Sequence, residues 1–260
     1  LAQNVDEMFF RRKGKLDGEF ENLYASLFDN SDQYIKVVTA LSRKNKGLTR
    51  EEIIKSTGLS DGGGLSAILS DLDNCDLIRR YQGFGKDERD SLYQLTDFYT
   101  FFYFKFIKKY GTSDKPFWAY QINTPVHNSW SGYAFEQLCL YHYNQIEKSL
   151  GINGILTKVA AWSAKPDDSH VPPLRGAQID LIISRSDRII NICEMKFVDE
   201  EFSMTAGYRE EINNKIMRFR HDCKVRYPIH PVLVTTYGLK QNEHSDIFQN
   251  VVVQKDLFAE

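Results

Sequence analysis

The chain has 260 residues, 42% apolar and 26% charged, with 16 glycines and 7 prolines. That composition excludes disordered, collagen-like and coiled-coil classes and is sufficient for a substantial buried core. Thirty-three Lys and Arg against 35 Asp and Glu leave a formal charge of −2, so no chain-wide basic field marks nucleic acid or anionic lipid, and any such site is local.

No apolar run approaches the roughly eighteen residues that would span a bilayer, and the start Leu-Ala-Gln-Asn-Val-Asp-Glu is no secretory signal. Cys75, Cys139, Cys193 and Cys223 lie far apart without a CxxC pair, which fits reduced thiols better than zinc or disulfides. A cytoplasmic protein without a membrane partner is expected. The first residue is Leu rather than Met, which points to a processed or truncated chain. The length predicts two domains, here 1–112 and 113–260.

In chain order, Tyr34, Val37, Val38 and Leu41 recur at helical spacing and stop in the polar run Ser42 to Gly47. Thr49-Arg-Glu-Glu52 is a capping box, so a second helix starts there and ends near Gly58. Ser60 or Asp61 caps a third helix carrying Leu65, Ile68, Leu69 and Leu72. Residues 77–81 and 91–95 are strand-like around a glycine-rich turn. The order predicts a winged helix-turn-helix.

Such a third helix is first suspected of reading a DNA groove. Between Asp61 and Asp76 it carries four aspartates and no Lys or Arg, so phosphates would be repelled there. Wing residues Arg79, Arg80, Lys86 and Arg89 are interleaved with Asp87, Glu88 and Asp90, as on an ordinary solvated surface. The aromatic run Phe98 to Ile107 is too apolar for an exposed stacking platform. It predicts a linker helix packed between domains or against a missing partner, with the boundary in Gly111 to Pro116.

A helix follows from Ser129, with Phe135, Leu138, Cys139, His142 and Ile146 on one face and Glu136 at its margin. Strands are predicted near 155–162, 177–184, 189–197, 231–236 and 251–254, with a long helix over about 203–226 between the third and fourth. This is an α/β domain, in a chain that is α+β overall.

The chemistry lies in Gln178-Ile-Asp180-Leu-Ile-Ile and Ile192-Cys-Glu194-Met-Lys196-Phe. Alternation puts Glu194 and Lys196 on one strand face. A tight Ser186-Asp187-Arg188 connection pairs Arg185 with Ile189 and so sets Asp180 opposite Glu194. Two carboxylates and an ammonium converge on strands otherwise apolar enough for burial on both sides, and desolvated carboxylates call for a proton or cation between them. Oxygen ligands with open positions suit Mg²⁺ or Mn²⁺, and Lys196 would orient water or neutralise charge developing on a phosphate.

These residues resemble the PD-(D/E)XK nuclease superfamily, the restriction-endonuclease-like fold, on Asp180 and Glu194-Met195-Lys196, with Ile179 in place of the signature Pro. The resemblance implies a central mixed sheet, catalytic Asp180, Glu194 and Lys196, and metal binding by Asp180 and Glu194 with Glu136 adding to the site. Gln178 shares the face of Asp180. The whole chain is also similar to the C-terminal region of archaeal and bacterial AAA-type (STAND-like) ATPases. That likeness rests on Phe9-Phe-Arg-Arg-Lys-Gly-Lys-Leu16, the Gly58-Leu-Ser-Asp-Gly-Gly-Gly-Leu-Ser66 run and Leu92-Tyr-Gln-Leu-Thr-Asp-Phe-Tyr99. No G-x-x-x-x-G-K-[ST] occurs, so the ATPase domain the likeness implies is absent from this chain and enters as a partner.

The expected function is metal-dependent hydrolysis of DNA phosphodiesters. Cutting both strands calls for two sites, so a homo-oligomer is among the expected states. The alternative is a catalytically degenerate regulatory or interaction region of an ATPase, its winged helix binding protein or DNA. Beside the site, residues 209–226 hold Arg209, Lys215, Arg218, Arg220, Lys224 and Arg226 against Glu210, Glu211 and Asp222, a local surplus able to follow a phosphate backbone; Tyr208, Lys215 and Arg218 are the ones to test. Lys165 and Arg175 lie on a long loop that could cover the site. His221-Asp222-Cys223 does not make a nucleophile with its base, because adjacent helical residues point apart. His127, His142, His170, His230 and His244 lack zinc spacing.

Overall fold

The computed structural model describes residues 1–86, 91–113 and 116–259. Arg89, Asp87, Glu88 and Asp90 of the expected wing, and Asp114 and Lys115 of the expected linker, lie outside the described residues. Two compact units are present, residues 1–81 with 91–133 and residues 82–86 with 134–259. The fold is mixed α/β, and no helix among the described residues is long and apolar enough to cross a membrane.

In the first unit, α1 (Glu19–Leu27) and α2 (Ser31–Leu41) lead to the short strand β1 (Leu48–Thr49) and to α3 (Arg50–Thr57). The capping box forms, with Glu52 N–H donating to Thr49 Oγ1 at 3.2 Å and Thr49 N–H to Glu52 Oε2 at 2.9 Å. Gly58 ends α3 at φ 72°, a left-handed conformation that suits glycine. Helix α4 (Gly63–Asn74) begins after Gly62 without a side-chain cap. Asp61 does not cap it, because its carboxylate is bound by Arg50 Nε at 2.8 Å.

The other acidic groups of this stretch also have structural work. Asp71 accepts from Tyr34 Oη at 2.7 Å, and Asp73 accepts from Arg80 N–H at 3.1 Å. Strands β2 (Ile78–Tyr81) and β3 (Leu92–Leu95) complete an antiparallel sheet of order β1-β3-β2. The aromatic run is α5 (Phe98–Phe102), capped by Asp97 and continued by a π-helical turn, Tyr103–Ile107. It packs inside this unit: Phe102 and Phe106 are buried with Phe10 and Trp118. The unit accordingly runs past 112 to Tyr133, because Trp118 completes that cluster.

Helix α6 (Pro125–Tyr141) crosses from the first unit's residues into the second's, and α7 (Tyr143–Ser149) follows. The second unit is built on a five-stranded mixed sheet of order β10-β8-β6-β5-β4. Its strands are β4 (Thr157–Ala164), β5 (Ala177–Arg185), β6 (Ile190–Lys196), β8 (Ile229–Thr235) and β10 (Asn250–Val253). A separate pair, β7 (Phe202–Ser203) and β9 (Leu239–Lys240), flanks helix α8 (Ala206–Cys223) in sequence. Strands β4, β5 and β6 form an antiparallel meander, while β6, β8 and β10 are parallel.

Both faces of the sheet are covered, as the apolar strands require. Leu181, Ile183, Cys193, Met195, Val232 and Val234 pack with Phe135 and Cys139 of α6. Ile182, Ile190 and Ile192 pack with Ile216 and Phe219 of α8.

Strand β5 departs from simple alternation. Ala160 pairs with Ile182, but Trp162 pairs with Ile179, so three steps on β5 oppose two on β4. Ile179 and Ile182 both join the α8-side cluster although they are an odd number of positions, three, apart. One extra residue is therefore accommodated around Asp180, a β-bulge of the kind that re-aims a side chain.

Candidate active site

The β5–β6 hairpin has the expected register. Arg185 N–H donates to Ile189 O at 3.0 Å, and the ladder runs from Ser184 opposite Ile190 to Leu181 opposite Cys193. The ladder ends there, one step short of Asp180 and Glu194, where the bulge begins.

Glu194 is the hub. It is 9% exposed, and its Oε2 lies 2.6 Å from Lys215 Nζ while Oε1 lies 3.3 Å from Lys196 Nζ and accepts from Tyr208 Oη. Burial alone would raise its proton affinity; Lys215 and Lys196, with the hydrogen bonds from Lys215 and Tyr208, together hold its carboxyl below the usual range. Lys196 Nζ also sits 4.7 Å from the centre of the Tyr208 ring.

Asp180 behaves oppositely. Its proton affinity is raised, first by burial and then by the charge of Glu194, against the opposing pull of a 2.6 Å hydrogen bond from Gln178 Nε2 to Oδ1 and of the two lysines. Glu136, on α6, is pushed up to about 7 by burial, Asp180 and Glu194, with Lys196 and Lys215 opposing. The four residues expected at the site thus share one electrostatic neighbourhood.

Helix α8 contributes more than a general basic surface. Tyr208 and Lys215 are seven residues apart, two turns of one face, and both end on Glu194. Arg218 serves elsewhere: it is buried, binding Asp222 at 2.9 Å and donating to Arg175 O at 3.2 Å. Arg209 pairs with Asp246 and Arg175 with Glu210. Three cations of the α8 region are therefore held by protein partners.

Among the described residues no group of three or more His, Cys, Asp or Glu side chains is set to hold a metal ion. The donor chemistry still suits a hard divalent cation. Asp180 and Glu136 hold their protons above the ordinary range first because they are desolvated and then because negative charge is crowded there, and a bound cation relieves both conditions. Asp180, Glu136 and the Gln178 amide would supply the oxygens; Glu194 would join by exchanging its Lys215 contact.

Lys215→Met is expected to destabilise the fold by about 1–3 kcal/mol at pH 7, because it leaves a buried carboxylate with Lys196 and Tyr208 alone. The loss should shrink in acid, where the variant's Glu194, without Lys215 to hold it ionised, takes up a proton before the parent's does. Urea denaturation at pH 7 and pH 4 measures it, and equal losses at the two pH values would show that the methylene stem, not the charge, had mattered.

No family model matches the chain, and neither the curated proteins nor the solved structures searched contain a match.

Proposed function

We propose that the second unit is a metal-dependent nuclease domain that hydrolyses DNA phosphodiesters. The observation that carries the reading is the gathering of Asp180, Glu194, Lys196 and Glu136 into one charge cluster, Glu194 buried and the other three half-buried, at the end of the β5–β6 hairpin. Crowding one buried and two half-buried carboxylates together has a cost unless they work on a charge. Mg²⁺ or Mn²⁺, when bound by Asp180 and Glu136 with Glu194, would supply a Lewis acid and a water of lowered pKa.

The chain's own residues then have definite tasks. Lys196 is 35% exposed at its side chain and faces substrate with its charge, neutralising an anionic phosphate in the transition state. Tyr208 and Lys215 hold Glu194 ionised and fixed. Glu136, whose proton affinity is raised by burial and by Asp180 and Glu194, would give up its proton when the cation binds and complete the oxygen set that holds it. The helices α2, α3 and α4 with the β1-β3-β2 sheet support reading the first unit as a winged helix. Its acidic stretch, already engaged with Arg50, Tyr34 and Arg80, favours coupling to an ATPase or another partner over groove reading.

The grip of Lys215 on Glu194 favours a second reading, a nuclease-like domain kept for regulation. Incubating supercoiled, linear duplex and single-stranded DNA with Mn²⁺, Mg²⁺ or chelator separates the two. Cutting that needs the metal and disappears in Asp180→Ala is the expected result. Cutting that persists in chelator, or in Asp180→Ala, would overturn the nuclease assignment.

A further inference from the structure

A cavity of about 630 Å³ lies in the second unit at the far end of the same sheet face from Glu194. Its floor is a cross-strand row, Lys158 of β4 opposite Ser184 of β5 opposite Ile190 of β6, on the face that α8 covers. Glu194 lies four steps along β6 from Ile190, roughly 13 Å at the rise of a strand. The segment 82–86 forms one wall, fixed by Phe84 N–H donating to Ala161 O at 2.8 Å and by the Phe84 ring against Phe219. The residues after α8 form the other, from Cys223 to Tyr227.

The lining has a distinctive charge. It includes Lys86, Lys158, Arg185, Lys224 and Arg226, and among the described residues no carboxylate. Arg185 is held by Asp187 outside the cavity. The C-terminal end of α8 offsets about half a charge, far less than the other four cations carry. Like charges gathered around a concave surface repel one another and focus a field that an anion relieves. The cavity is also much larger than an inorganic anion needs and falls in the range of small-molecule sites. Apolar surface from Phe84 and Ile190 and the ring of Tyr227, 48% exposed, offers a flat body something to lie against.

From this we infer that the cavity binds a nucleoside phosphate, its phosphates among Lys158, Lys224 and Arg226 and its base against Tyr227. The ligand is either a free nucleotide or the terminal nucleotide of a strand. The site is separate from the carboxylate cluster and does not require it to cleave anything.

The test is calorimetric titration of the full chain with ADP, in chelator so that no cleavage intervenes. Binding tighter than about 1 mM is expected, weakened at least tenfold by Lys158→Glu with Arg226→Glu and measurably by Tyr227→Ala. All three positions are exposed, so the variants should keep the parent's circular dichroism and melting midpoint, and these are checked first. Displacement of ADP by a 5′-phosphorylated tetranucleotide identifies a strand end as the ligand; failure to displace identifies a free nucleotide. No binding of either probe, binding unchanged by the charge reversals, or pyrophosphate binding as tightly as ADP would each overturn the inference.

Discussion

Lys196→Ala is expected to slow DNA cleavage by roughly a hundred- to a thousand-fold, the usual loss when a group that stabilises transition-state charge is removed. Its melting midpoint should stay within about 2 °C of the parent's. The two halves of this expectation have different origins. The rate depends on Lys196 because its side chain is the more exposed of the two lysines on Glu194, 35% against 20%, and lies 3.3 Å from that carboxylate. Stability does not, because Glu194 keeps its shorter contact with Lys215 and its hydrogen bond from Tyr208. Single-turnover cleavage at saturating Mn²⁺ measures the first half and thermal melting the second. A variant that cuts as fast as the parent would remove Lys196 from the mechanism; one that melts far earlier would make it a structural residue.

Glu136→Gln should make the metal-free protein more stable at alkaline pH, by up to about 3 kcal/mol at pH 8. The Glu136 carboxyl titrates at about 7 in the folded chain against an ordinary 4.5. Between those values the folded state keeps a proton that the unfolded state has released, so stability falls as pH rises through this window and stays reduced above it. Glutamine imitates the protonated form and removes the loss. The advantage should fade below about pH 4.5, where both states of the parent are protonated. Urea denaturation in chelator at pH 4 and pH 8 reads the difference, and an advantage of the same size at both would rule out the titration of Glu136 as its source. The same substitution should lower cleavage, since stability gained by discarding a function-bearing charge usually costs activity.

The five strands of the main sheet were legible to within two or three residues because each is a short apolar run between turn residues, whereas the two-residue strands β7 and β9 were not, being too short to carry a pattern. The α3 cap was legible because Thr49 and Glu52 interact locally. Asp180, Glu194 and Lys196 could be named from their strands alone, since parity on β6 is regular. The roles of Tyr208 and Lys215 could not. Their seven-residue spacing marks a common helix face, but only the packing of α8 on the sheet selects Glu194 as its target. The aromatic run misleads for a related reason: its partners Phe10 and Trp118 are distant in sequence, so a cluster internal to one unit reads as an unsatisfied surface.

The bulge in β5 has a consequence for how this site is encoded. Ile179 and Ile182 both turn toward α8, so the strand obeys one parity before Asp180 and the opposite parity after it, a phase slip in the middle of nine residues. A strand with the same aspartate but one residue fewer between those isoleucines would keep its apolar surfaces buried by running in a single phase, and would deliver the carboxylate on a different bearing. The site is thus specified by a count as well as by an identity. Two chains could share every acidic and basic letter of this segment and still differ in whether their carboxylates meet.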